Sequence, residues 1–133
     1  VDMLRKNFNL QAVKIHLYRQ EYETALQYFK NSPEISYYHS HEVFSVAKEL
    51  EARYPEQLLE FYKSSVGDLN MSGTRKSYVQ NAEAVARIRR VLVDVMKEPG
   101  EWKKYALPIK LNNSKRPAFQ DEFSRVIPDW KNL

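Results

Sequence analysis

Residues 75–97, RKSYVQNAEAVARIRRVLVDVMK, decide the fold. Tyr78, Ala82, Val85, Ile88, Leu92 and Val95 recur at steps of four, three, three, four and three. That spacing places them on one side of an α-helix. The opposite stripe is Gln80, Glu83, Arg87, Arg90, Asp94 and Lys97, all polar. Glu83 and Arg87 stand four apart in the favourable order, which adds a few tenths of a kcal/mol, about 0.3. The segment predicts an unbroken helix over about 75–97 with one buried face. Downstream, Glu98-Pro99-Gly100 breaks it. A sixth helix is expected from about Glu101, with Trp102, Tyr105, Ala106 and Ile109 inward and Pro108 kinking or ending it. Asn112-Asn113-Ser114 reads as a loop, and a short seventh helix starts near Pro117 with Phe119 and Phe123 inward.

Upstream the same periodicity continues. A first helix runs from about Leu4 or Asn9 to Tyr18, with Leu10, Val13 and Leu17 on one face. Gln20-Glu21 is a corner. A second helix carries Tyr22, Ala25, Leu26 and Phe29 and closes at Asn31-Ser32-Pro33. A third spans about Ser40 or His41 to Tyr54 with Val43, Ala47, Leu50 and Tyr54 at three- and four-residue steps. Pro55 suits the first position of a fourth, which carries Leu58, Leu59, Tyr62, Val66 and Leu69. Residues 67–74 hold Gly67 and Gly73 without periodicity and read as a hinge.

Composition agrees with an all-α chain. The 133 residues suit one domain, 43% are hydrophobic and 29% charged, and three glycines are too few for the turns of an all-β fold. There is no cysteine, which excludes disulfides, thiol catalysis and Cys-ligated zinc here. No apolar window is long enough to span a bilayer, and no signal peptide opens the chain, so no membrane contact and a cytoplasmic location are expected. The expected architecture is six to seven helices in antiparallel hairpins, stacked as a tetratricopeptide-like α-α superhelix in a single domain, residues 1–133.

Two further stretches carry a family resemblance. One is Ala52-Arg53-Tyr54-Pro55-Glu56-Gln57-Leu58-Leu59-Glu60-Phe61-Tyr62. The other runs through Arg75-Lys76-Ser77-Tyr78, Ala82 to Leu92, Glu101-Trp102-Lys103-Lys104-Tyr105 and Lys115-Arg116-Pro117-Ala118-Phe119. In this order they resemble the C-terminal helical region of bacterial SWIM zinc-finger proteins, over roughly residues 45–125. The resemblance implies that the chain is the C-terminal part of a larger protein. The metal site of that family is a CxC…CxH motif, which a chain without cysteine does not carry. Tyr22–Phe29, with small Ala25 and large Phe29, resembles the second helix of a tetratricopeptide unit.

The search for chemistry finds no strong motif. His39-Ser40-His41, with Glu42, is the one close imidazole pair, but i, i+2 spacing does not place two ligands on one helix face. His16 lies among apolar neighbours. No carboxylate pair, phosphate loop or nucleophile elbow stands out. Asn70-Met71-Ser72 matches a glycosylation sequon without a secretory context. The expectation is no enzyme, no cofactor and no metal.

Charge is uneven. Residues 1–66 hold eight Lys/Arg against nine Asp/Glu, whereas residues 67–133 hold thirteen against eight. The basic set Arg75, Lys76, Arg87, Arg89, Arg90, Lys103, Lys104, Lys115 and Arg116 therefore marks the second half, with Tyr78 and Trp102 close by. Arg89, Lys103, Lys104, Lys115 and Arg116 have no strong local acidic partner and are the expected partner-binding residues. Seven tyrosines lie in the first half, and Tyr37-Tyr38 is a second interface candidate. The partner expected is a protein or the rest of the same chain. A nucleic acid contacted through the basic half is the alternative.

Overall fold

The computed structural model describes residues 2–30, 41–69 and 73–133. Helices run over Asp2–Tyr18 (α1), Tyr22–Lys30 (α2), His41–Glu51 (α3), Pro55–Ser65 (α4), Arg75–Arg89 (α5), Pro99–Asn112 (α6) and Pro117–Val126 (α7). Among the described residues there is no strand, so the fold is all-α as the periodicity predicts. The expected connector Pro33–His39 with Tyr37-Tyr38, the residues His39-Ser40, and the sequon Asn70–Ser72 lie outside the described residues.

The chain divides into two compact units, Val1–Leu58 and Leu59–Leu133. In the first, α1 and α2 pack as a hairpin, and α3 also contacts α1. The corner is built on Gln20, whose φ of 60° is left-handed. The Gln20 N–H bonds the Leu17 carbonyl at 3.0 Å and the Glu21 N–H bonds the His16 carbonyl at 2.8 Å, which closes the end of α1. Val13, Leu17, Ala25, Leu26 and Phe29 are buried from the hairpin, and Val43, Val46, Ala47 and Leu50 from α3. Tyr22, expected inward, is only half-buried, with the Arg53 guanidinium 3.8 Å over the centre of its ring.

The second unit is organised by α5 against α7. Thr74 caps α5, its Oγ1 accepting from the Ser77 N–H at 3.1 Å. Tyr78, Ala82, Val85 and Ile88 are buried as their spacing requires. The unbroken helix expected over 75–97 is not what forms. The α-helix ends at Arg89, and Arg90–Val95 is a π-helical turn, with the Met96 N–H bonded to the Val91 carbonyl at 2.8 Å. The wider turn retards the register, so Val91 and Leu92 are buried while Val95 is rotated to a half-buried position. Lys97 then takes a left-handed φ of 59°, and the Glu98 N–H closes on the Leu92 carbonyl at 2.7 Å.

Pro99 is the first residue of α6, two before the expected start, where a missing N–H is harmless. Pro108 does not end the helix, which continues to Asn112. Pro108 is exposed, so water can satisfy the Lys104 carbonyl that loses its usual donor. After α7, the sequence alone gives no warning of the 3₁₀ turn Trp130–Asn132. It carries Trp130, 1% exposed, onto Phe123 at 4.9 Å, and Phe123 stacks on Phe119 at 4.0 Å.

Lys97 is the only left-handed residue among the described residues of the second unit, and a lysine there is strained relative to glycine. Lys97→Gly is expected to stabilise the protein by about 0.5–1 kcal/mol, read as a rise in Tm in thermal denaturation. A fall in Tm would show that the Lys97 side chain contributes more than its backbone strain costs.

Candidate interaction surface

The inner and outer sides of α6 have different chemistry. Inward, Trp102 and Ala106 are fully buried and Tyr105 and Ile109 half-buried, the four residues the spacing selects. Trp102 Nε1 donates to Asp129 Oδ2 at 3.0 Å, which orients the ring from beyond the end of α7. The Lys63 ammonium lies 5.4 Å from the centre of the Tyr105 ring. Outward, Lys103, Lys104, Leu107 and Leu111 fall within about 100° of arc at 100° per residue. All four are exposed, Leu107 by 39% and Leu111 by 61%.

The corner that follows α6 is fixed by side-chain bonds. Asn113 is buried; its Nδ2 donates to the Ile109 carbonyl at 2.8 Å and its Oδ1 accepts from Arg116 Nη1 at 2.8 Å. Arg116 also donates to the Leu69 carbonyl at 3.3 Å. Gln120 Nε2 donates to the carbonyls of Lys110 and Asn113 at 3.1 and 2.9 Å. Lys115 stands exposed at the tip.

The five residues expected to bind a partner therefore separate. Arg89 has no acid at helical spacing, but Asp129, forty positions on, accepts from its Nε at 2.9 Å. Its charge is engaged within the fold, as is Arg116 in the corner. Lys103 and Lys115 have no ion-pair partner among the described residues, and Lys104 reaches Glu101 only at 3.4 Å across an exposed turn, worth little. Lys103 and Lys104 lie in the middle of α6, whereas Lys115 lies beyond its end in the corner. Leu107 and Leu111, the apolar centre of this face, were legible only as leucines one turn apart on the side away from Trp102.

Arg75, though exposed, is also paired within the fold. Arg75 Nη1 donates to Glu122 Oε1 at 2.6 Å and to Asp121 Oδ2 at 3.1 Å, and these bonds hold its pKa above the ordinary value. Arg87, Arg89 and Arg90 line an open groove of about 380 Å³ that also takes in Glu83 and Asp94. With Asp129 bonded to Arg89, three arginines there stand with three carboxylates. In the first unit, an open groove of about 460 Å³ has Leu17 and Val46 as its floor, the bonded pair Lys14 and Glu42, and Tyr18 almost wholly exposed.

Among the described residues no group of three or more His, Asp or Glu is placed to hold a metal, and no helix is long and apolar enough to cross a membrane. His16 stacks on Tyr28 at 5.2 Å with Nδ1 3.2 Å from Glu21 Oε1, at the α1–α2 corner.

Two outcomes follow. Asp129→Ala leaves the buried Trp102 N–H without its acceptor and Arg89 without its carboxylate, so unfolding in urea should show a loss of about 2–3 kcal/mol. An unchanged midpoint would mean that water replaces both bonds. Burial raises the Tyr105 phenol above its usual value near 10. The unfolded chain then ionises first as pH rises past that value, and stability present below it is lost through the folded pKa. Tyr105→Phe should flatten that alkaline decline relative to wild type, and an identical decline in both proteins would assign it to other groups.

No protein-family model, no curated protein and no solved structure matches the chain.

Proposed function

We propose that this chain is a non-enzymatic helical module that binds a partner protein or another part of its own chain. One observation carries this reading: the outer face of α6 exposes two leucines one turn apart between lysines, on a helix whose other side is locked to the core. Exposed apolar residues grouped in this way are what an interface core uses. The reading includes a helical-repeat, tetratricopeptide-like arrangement, supported by the burial of Ala25, Leu26 and Phe29 on α2. It also includes a cytoplasmic, bacterial parent of the SWIM zinc-finger type, supported by the quoted sequence signatures alone.

The nucleic-acid alternative draws less support. Phosphate tracking needs cations free to neutralise phosphates, and Arg75, Arg89 and Arg116 are already bonded within the protein. Leucines at the centre of the remaining lysines suit a protein surface better.

The test pairs two measurements on the full chain. Immobilised wild type and a Leu107→Glu/Leu111→Glu variant, shown to be equally helical by circular dichroism, are used to capture proteins at rising salt. Fluorescence anisotropy with labelled single- and double-stranded DNA and RNA of random sequence is run beside them. Capture that survives 150 mM salt and disappears in the variant is expected. Nucleic-acid binding that falls steeply with salt and is indifferent to the leucines would overturn the proposal in favour of the alternative.

A further inference from the structure

We infer that the outer face of α6 docks an acidic amphipathic α-helix, with Leu107 and Leu111 as its apolar anchors. The inference rests on the interaction reading above and deepens it by assigning the partner's chemistry. The two leucines are four residues apart, about 6 Å along the axis, and form a ridge one turn long. Together their exposed fractions amount to roughly one whole leucine left to water on an otherwise well-packed helix. A ridge with one anchor per turn matches the i, i+4 anchors of another helix laid along it.

The charges specify the sign of that helix. Lys103 and Lys104 stand one turn before Leu107, and Lys115 lies exposed in the turn that follows the end of α6 at Asn112. Lys103 and Lys115 lack an ion-pair partner among the described residues, and Lys104 is 78% exposed beside Glu101. The complement is an apolar pair with glutamates or aspartates one turn away, set against Lys103 and Lys104, and Lys115 adds positive charge from the corner after α6. Like charge excludes a basic helix, since lysines set against lysines repel on approach. Gly100 extends the same face toward the N-terminus of α6, and a Cβ there would meet nothing within 4 Å, so a partner backbone can pass without obstruction.

The face is also built to keep its shape. Trp102 is held by Asp129, and the corner after α6 by Asn113 and Arg116, so the anchors are presented without a loop having to order. That lowers the conformational cost of association.

The experiment selects from a displayed library of helix-biased 16-residue peptides against the full chain at 150 mM salt. Counter-selection uses the Leu107→Glu/Leu111→Glu variant. Enrichment of acidic peptides with apolar residues at i, i+4 is expected. Selected peptides should lose roughly fivefold to twentyfold in affinity for Leu111→Ala, because a partner can cover only the 61% of that leucine left to water. A Lys103→Glu/Lys104→Glu/Lys115→Glu variant, which keeps the anchors, should instead select basic peptides. Vesicles of phosphatidylcholine with 30% phosphatidylserine form a parallel arm. Selection of neutral or basic peptides by wild type, no enrichment at all, or vesicle binding lost in the leucine variant in place of peptide binding would each overturn the inference. If protein capture through the leucines succeeds while acidic peptides fail, the interaction reading stands and the acidic-helix assignment falls.

Discussion

The second unit depends on one stack of rings. Phe119 and Phe123 lie face to face at 4.0 Å, Tyr78 meets Phe119 edge-on at 5.4 Å, and Trp130 closes on Phe123 at 4.9 Å. These four side chains come from α5, α7 and the final 3₁₀ turn, so a single aromatic column joins segments more than fifty positions apart. Offset and edge contacts of this kind contribute beyond the area they bury, about 0.5–1.5 kcal/mol per pair. Trp130 cannot slide out of the column without breaking the bond from its Nε1 to Gln120 Oε1, at 2.8 Å. Gln120 in turn holds the carbonyls that end α6.

A short set of polar side chains converts that packing into a defined placement of α6. Asp129 accepts from two elements at once, one oxygen to Arg89 and the other to Trp102. Asn113 does the same for the corner, with its amide donating backward and its carbonyl accepting from Arg116. No buried side-chain nitrogen or oxygen is left without a partner among the described residues. The inner side of α6 is therefore fully committed, and what it offers to other molecules is confined to the lysines and leucines of its outer side.

Local signals were readable in the sequence because they act over a few residues. Pro55 and Pro117 mark helix starts, and the apolar spacing of α5 and α7 selects the buried residues Ala82, Val85, Ile88, Phe119 and Phe123. What escaped the reading is set by tertiary structure. The π-helical turn after Arg89 changes the register so that both Val91 and Leu92 reach the core, a choice that periodicity within one segment does not encode. Pro108 reads as a kink or an end of the helix, and α6 continues past it to Asn112 with Trp102 and Ala106 packed on its inner side. Of the expected site, the lysines of α6 and Lys115 are exposed as their spacing suggests, whereas Arg89 and Arg116 find partners far along the chain. Leu107 and Leu111 were passed over because a leucine in a helix reads first as core.

The position of Trp130 has a consequence for how the chain is made. Ile127 and Trp130 are each 1% exposed, and they seal a core whose other members lie upstream. During synthesis, α5, α6 and α7 emerge before the residues that lock them, with Phe119 and Phe123 still open on one side. The aromatic core of the second unit is thus complete only once Trp130 is available to close on Phe123. The α1–α2 hairpin of the first unit, by contrast, closes on the local corner at Gln20.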